Sequence, residues 1–155
     1  MSRAEQYSWT SLLGLAAIYW WFQMRMLDGW SVVDQSPSRL LWVYFAVIGA
    51  STLLEVLIAG VIGGAARGKA VVKDERDHAI AARAGQFERV FIIAAINIVI
   101  WQALWEGAMA GHDLPRIDLA HLPTLFFVLF TILFAGEFMK RITTIALYRV
   151  HSARG

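Results

Sequence analysis

The chain has 155 residues, of which 58% are hydrophobic and only 17% are charged. A soluble domain carries about 25% charged residues, so this composition excludes an ordinary soluble protein and indicates an integral membrane protein of single-domain length. Cysteine is absent, which excludes disulfides, thiol chemistry and thiolate metal sites.

Four apolar segments follow one another along the chain, and each is close to the roughly 20 residues that a membrane-spanning helix needs. They cover about 9–27, 40–65, 90–109 and 122–145. Polar or turn-forming residues separate them. The pattern predicts an all-α fold, a four-helix bundle that forms one transmembrane domain.

The basic residues predict the orientation of the four segments. If the amino terminus lies in the cytoplasm, all but three of the 14 Lys and Arg are cytoplasmic, the exceptions being Arg25, Arg39 and Arg116. Basic residues prefer the cytoplasmic side, so both termini are predicted there, in a plasma (inner) membrane. The net charge of +2 then fits anionic lipid headgroups and requires no nucleic acid.

The two halves of the chain resemble a duplicated hairpin. Similar residues recur at offsets of 80 or 82 positions: Gln6-Tyr7 with Gln86-Phe87, Trp21 with Trp101, and Glu55 with Glu137. Two interpretations remain open. The halves are repeats related by an axis along the membrane normal, or apolar sequences align by chance.

Glu55 is the most unusual residue of the second apolar segment. It has no basic residue three or four positions away, and it lies about 20 Å from the outer end of the helix if the span begins near Trp42. A carboxylate at such a depth costs about 2.5–3.5 kcal/mol on insertion. Glu55 is therefore a candidate contact for a ligand, a proton or an ion, or a hydrogen-bonding residue that holds helices together.

Three further residues belong to the same candidate site. Glu137 is followed by Lys140 and Arg141 at the spacing of facing helical residues, so either its own helix neutralises it or Arg141 or Lys140 turns inward and bridges to Glu55. Asn97 is a lone polar residue at a similar depth in the third segment. Glu55, Asn97, Glu137 and Arg141 are therefore predicted to form a polar layer in the inner half of the bundle.

The segment that precedes the third span, residues 74–89, predicts a cytoplasmic helical extension. Asp74 can cap this helix, and Asp77 stands at the capping-box position three residues later. Apolar residues then recur at helical spacing along one stripe, Ile80, Ala84, Phe87 and Phe91. The extension is a candidate docking surface for a cytoplasmic protein.

The same segment carries the motif Asp74-Glu-Arg-Asp-x-x-Ile80-x-x-Arg83-Ala84. It resembles the Asp-Glu-Arg-Asp/Glu motif of small, uncharacterised four-helix membrane proteins of bacteria and archaea. That family has no settled activity. The resemblance implies a hallmark set, Asp74, Glu75, Arg76, Asp77, Ile80, Arg83 and Ala84, which either carries function or sets the helix junction.

Metal and haem sites are not predicted. Asp74, Asp77 and His78 have a spacing that a metal could use, but acids at a helix start are commoner. In the outer loop, His112, Asp113, Asp118 and His121 match no standard zinc spacing. Since all four histidines lie at or beyond the ends of the apolar segments, haem ligation inside the bundle is excluded, and no cofactor is identified.

Two functions compete, and a third has less support. The chain binds or transports a small ligand, proton or ion around Glu55, or it is a non-catalytic structural or regulatory subunit that docks a partner through residues 74–89. A membrane enzyme would need a second catalytic group, which no motif supplies. Small residues of the second segment favour a homodimer: Gly49, Gly60, Gly63 and Gly64.

Overall fold

A computed structural model of the chain describes residues 3–64, 75–108 and 117–152. Over these residues the fold is all-helical apart from one very short hairpin, which confirms the predicted all-α class with four helices. The four helices are α1 (Arg3–Met26), α2 (Pro37–Gly64), α3 (Glu75–Ala108) and α4 (Leu122–Ser152). The strands β1 (Leu27–Asp28) and β2 (Ser31–Val32) lie between α1 and α2.

Three of the described helices are long and apolar enough to cross a membrane. These segments are Pro37–Val61, Asp77–Trp105 and Leu122–Val150, with mean hydropathies of 2.0, 1.7 and 1.9. The predicted first span, residues 9–27, lies over α1, which is not among the three. At about 1.5 Å per residue α1 is long enough to cross, but polar side chains such as Ser8 and Ser11 lower its hydropathy, and both are buried against other helices.

The helices pack side by side in the order α3, α4, α1, α2. α4 packs against α3 on one side and α1 on the other, α1 also packs against α2, and α2 touches α4 only marginally. Neighbouring helices are antiparallel. In α1 and α2, for example, Ser11 lies beside Glu55 at one end and Trp21 beside Trp42 at the other.

The core lies between α1 and α4 and is rich in aromatic rings. Phe22 of α1 is fully buried, and its ring centroid lies 5.6 to 6.1 Å from those of four phenylalanines of α4, Phe126, Phe127, Phe130 and Phe134. The buried residues of α1 recur at helical spacing, because only one face of that helix meets its neighbours: Ser8, Ser11, Leu15, Phe22 and Met26.

The link between α1 and α2 turns tightly at Gly29. β1 and β2 pair antiparallel, with Leu27 opposite Val32. Gly29 has a φ of 62°, a left-handed conformation that glycine adopts without a steric penalty. This turn returns the chain along α1 as α2.

Two glycines allow neighbouring helices to approach closely, one between α1 and α2 and the other between α3 and α4. A Cβ at Gly14 of α1 would lie 2.5 Å from a methyl carbon of Leu54 on α2, and a Cβ at Gly136 of α4 would lie 2.7 Å from Ile92 on α3. These contacts fix how far α1 slides along α2, and α3 along α4.

Adding a methyl group at Gly14 should loosen the contact between α1 and α2. Because three side-chain carbons of Leu54 would lie within 3.1 Å of the new Cβ, Gly14→Ala should destabilise the protein by about 1–3 kcal/mol, as overpacking does. Gly49→Ala is the matched control, since nothing lies within 4 Å of a Cβ there. Unfolding in mixed micelles measures both, and equal stabilities would contradict the packing described.

Candidate functional site

The polar residues of α1, α2 and α4 meet around the carboxylate of Glu55. Its Oε1 accepts hydrogen bonds from the Ser11 hydroxyl at 2.7 Å and from Nη2 of Arg141 at 2.8 Å. Its Oε2 accepts a hydrogen bond from the Tyr7 hydroxyl. Three groups from two other helices therefore satisfy Glu55, so the costly carboxylate is paired between helices and not within its own.

Arg141 lies between two carboxylates. Besides its contact with Glu55, its Nη2 atom lies 3.7 Å from Oε2 of Glu137, one turn earlier on α4. The guanidinium carbon also lies 5.3 Å from the centre of the Tyr7 ring, a distance at which cation and ring attract each other. The side chain is only 15% exposed, so these contacts replace most of its contact with surrounding solvent or lipid.

The contact between Arg141 and Glu137 lacks a hydrogen bond. At 3.7 Å the two groups form an ion pair but no hydrogen bond. Within the described residues, Oε2 of Glu137 and Nε of Arg141 are buried and have no hydrogen-bond partner. Glu137 is therefore the less satisfied of the two carboxylates beside Arg141.

Lys140 extends the cluster to α3. Its Nζ lies 3.0 Å from Oε2 of Glu88 and 3.5 Å from Oε1 of Glu137. Three carboxylates and two cations are thus linked through contacts of at most 3.7 Å. When all five groups are ionised, three negative and two positive charges leave one net negative charge. We name this set the charge cluster: Glu55, Glu88, Glu137, Lys140 and Arg141.

The sequence of α4 explains why its cations reach different helices. Lys140 and Arg141 are adjacent, and adjacent helical residues point about 100° apart. Lys140 therefore faces α3, and Arg141 faces α1 and α2. Two turns later, Nε of Arg149 lies 3.8 Å from the carboxylate of Glu5 on α1, which adds a third contact at the same end of α4.

The structure brings together three of the four predicted ligand-binding candidates. Glu55, Glu137 and Arg141 lie in the charge cluster. Both predicted arrangements are present, because Arg141 bridges to Glu55 while Lys140 and Arg141 also form ion pairs with Glu137 on their own helix. Asn97 lies apart. Its side-chain amide donates to the backbone carbonyl of Ile93 at 2.8 Å, on an exposed part of α3.

The motif residues of α3 divide into a covered and an exposed set. Asp74 lies outside the described residues, and only the backbone of Arg76 is described. Ile80 and Ala84 are 3% and 1% exposed, because they lie on the side of α3 that packs against α4. The apolar part of the motif therefore contributes to packing within this chain.

The charged residues of the motif have different surroundings. Oδ1 of Asp77 accepts a hydrogen bond from the Tyr148 hydroxyl of α4 at 2.6 Å. Glu75 and Arg83 are exposed. Asp77 thus ties the start of α3 to the end of α4, while the other two remain accessible from outside.

No group of three or more His, Asp or Glu side chains in residues 3–64, 75–108 and 117–152 is arranged to hold a metal ion. Of the histidines and acids considered in the loop before α4, His112 and Asp113 lie outside these ranges. His121 contacts Thr124 at 2.9 Å and Asp34 at 3.3 Å. These contacts tie α4 to the segment that precedes α2.

Sequence reasoning missed the hydroxyl donors to Glu55. Tyr7 and Ser11 are four residues apart on α1, so they lie on one face. A signal was available for Ser11, since Ser8 and Ser11 continue the stripe of Leu15, Phe22 and Met26. A buried stripe that changes from apolar to hydroxyl side chains towards one end indicates a polar partner there.

Comparison of the chain with models of known protein families, with curated proteins and with solved structures gave no match.

A double-mutant cycle measures the link between Glu55 and Arg141. Glu55→Gln and Arg141→Gln should each destabilise the protein, because each leaves one charge without its partner. Their coupling energy should be about 1–3 kcal/mol, as for residues in direct contact, when unfolding is followed in mixed micelles.

The pair Glu5 and Arg149 is the matched control. Its atoms are 3.8 Å apart and Arg149 is 65% exposed, so its coupling should stay below about 1 kcal/mol. Equal coupling energies in the two pairs would contradict the conclusion that Arg141 and Glu55 form the stronger link between helices.

Proposed function

We propose that this chain is a small multi-pass protein of the plasma (inner) membrane that binds one small monovalent cation, a proton or an alkali ion, at the charge cluster. In this proposal all four helices cross the membrane as a bundle and both termini are cytoplasmic. Binding at this cluster would be the first step of transport. The observation that carries the proposal is the position of Arg141 between the carboxylates of Glu55 and Glu137.

The packing of α1 supports a fourth crossing. Its buried stripe includes Ser8 and Ser11, and the Ser11 hydroxyl bonds to Glu55. A helix whose polar side chains face its neighbours can cross hydrocarbon although its average hydropathy is low, because those polar groups are satisfied internally. The charge cluster then lies in the cytoplasmic half of the bundle.

The net charge of the cluster supports a cationic ligand. Its single unbalanced negative charge is expensive in a poorly solvated place, and one bound positive charge removes it. Glu137 is the natural position, because its Oε2 is buried and has no hydrogen-bond partner within the described residues. Glu55 is already bonded through both oxygens, so a ligand there would have to displace Arg141 or a hydroxyl.

Binding at Glu137 would also act on helix packing. When Glu137 carries a negative charge, it competes with Glu55 for Arg141. When a cation neutralises Glu137, Arg141 interacts with Glu55 alone, and the contact between α2 and α4 becomes stronger. Occupancy is thereby coupled to the way two helices meet, which is the coupling that a transport cycle or a sensor requires.

The competing proposal is a structural or regulatory subunit that docks a partner through residues 74–89. Burial of Ile80 and Ala84 weighs against the part of that surface that faces α4. An exposed flank of the same stripe keeps the alternative open, because Arg83 is exposed and Phe87, four residues later on the same face, is 55% exposed. Arg83 and Phe87 offer one basic group beside one aromatic ring.

Cation-dependent stability tests the proposal. At 100 times its dissociation constant a ligand stabilises by about 2.7 kcal/mol, which for a chain of this size raises the unfolding temperature by roughly 5–10 °C. Replacing choline with Na⁺ or K⁺, or lowering the pH at constant salt, should therefore produce such a shift in the wild type. Glu137→Gln should abolish it, since the variant lacks the charge that attracts the cation.

Asp28→Asn is the matched control for this experiment. Asp28 is an exposed acid outside the charge cluster, so its variant should respond to cations as the wild type does. A wild type that ignores all three cations, or a Glu137→Gln variant that responds equally, would contradict the proposal and favour the docking subunit.

A further inference from the structure

α3 has one covered face and one uncovered face. Its covered face meets α4 through Glu88, which pairs with Lys140, and Ile92, which packs on Gly136. α3 contains the candidate membrane span Asp77–Trp105, and no residue in the most apolar stretch of that span is buried. Such a face meets lipid tails or another protein.

The uncovered face has the spacing of a helix–helix seam. Five of its exposed residues are separated by 3, 4, 3 and 4 positions: Val90, Ile93, Asn97, Ile100 and Leu104. The four apolar members are 52 to 69% exposed. This alternation is the a/d pattern by which two helices interlock along a common seam. We name these five residues the α3 seam.

Asn97 stands in the middle of the seam and in the middle of the apolar stretch. No charged residue occurs between Arg89 and Glu106, and Asn97 lies midway between them. A side-chain amide has two N–H donors and an oxygen that accepts two hydrogen bonds. Within the described residues its one hydrogen bond joins Nδ2 to the carbonyl of Ile93. The rest of its hydrogen-bonding capacity faces outwards at a depth where lipid tails offer no partner.

We propose that the α3 seam is a homodimer interface, in which Asn97 of one copy hydrogen-bonds to the partner's Asn97. Two copies inserted in the same direction place their α3 helices parallel, and a twofold axis along the membrane normal brings identical residues together. An amide is both donor and acceptor, so a second amide complements it. The apolar seam residues then interlock on either side of this pair.

The seam argues for a second copy of this chain and not for an unrelated partner. One asparagine at an a position in an otherwise apolar seam fixes register and partner number in paired helices. A homodimer through α2 was predicted from its glycines. The α3 seam is the better-supported surface, because it combines the interlocking spacing with a polar group that needs a partner.

The α3 seam is separate from the proposed cation site. Asn97 belongs to no contact of the charge cluster, and α4 lies between the seam and Glu55 in the order of packing. Loss of cation binding in Glu137→Gln therefore leaves the dimer intact, and loss of the dimer leaves the cation response to be measured separately.

Dimerisation of the full chain in lipid bilayers, measured by energy transfer between labelled copies, tests the role of Asn97. Asn97→Leu keeps the size of the side chain and removes its hydrogen bonds, so it should raise the dimer dissociation constant about 3- to 20-fold. Asn97→Gln keeps the amide and should stay within about threefold of the wild type. Ile98→Ala is the control, because Ile98 is 66% exposed and lies beside the seam.

Cross-linking tests the geometry of the seam. The chain contains no cysteine, so single cysteines can be introduced without background. Cysteines replacing Ile93, Ile100 or Leu104 should form disulfide-linked dimers on oxidation in bilayers, and one replacing Ile98 should not. A monomer at every lipid ratio, an Asn97→Leu variant that dimerises like the wild type, or equal cross-linking at Ile98 would overturn the proposal.

Discussion

The pairing of Arg141 with Glu55 is the constraint on which the arrangement of the helices depends. A guanidinium or a carboxylate placed among apolar helices is strongly destabilising until it meets a partner. Both residues find that partner across the interface between α4 and the α1–α2 hairpin, at 2.8 Å. Since Lys140 points about 100° away from Arg141 on the same helix, α3 with its Glu88 is held on the other side of α4.

The same physical rule links the candidate cation site with the candidate dimer seam. A polar group among apolar helices is stable where another group hydrogen-bonds or ion-pairs with it. A polar group that lacks part of this pairing therefore indicates which kind of ligand or partner would complete it. At Glu137 the deficit is a hydrogen-bond donor to a buried carboxylate oxygen, and at Asn97 it is hydrogen bonding to an amide. The first deficit fits a small cation and the second fits another copy of the chain. The aromatic contacts of Phe22, in contrast, leave nothing to complete and act as packing alone.

The sequence predicts the helical fold and part of the candidate site. It does not predict how each helix is rotated about its own axis, which determines the residues that face one another. Hydropathy located the apolar segments because their apolar residues are consecutive along the chain. Depth could be counted from residue positions, which singled out Glu55 and Asn97. The rotation of each helix about its own axis could not be predicted, because α2 and α3 are apolar on nearly every side. The pattern therefore did not separate Glu55, which faces α1 and α4, from Asn97, which faces outwards.

The distance between Glu55 and Arg141 in a lipid bilayer decides whether Arg141 pairs across the helix interface. Solid-state NMR on protein with labelled carboxylate carbons and guanidinium nitrogens measures the dipolar coupling between the two groups. The 2.8 Å contact predicts a strong coupling from Arg141 that disappears in Glu55→Gln and persists in Glu137→Gln. A coupling that instead disappears in Glu137→Gln and survives in Glu55→Gln would show that Arg141 pairs within its own helix. That result would contradict the account.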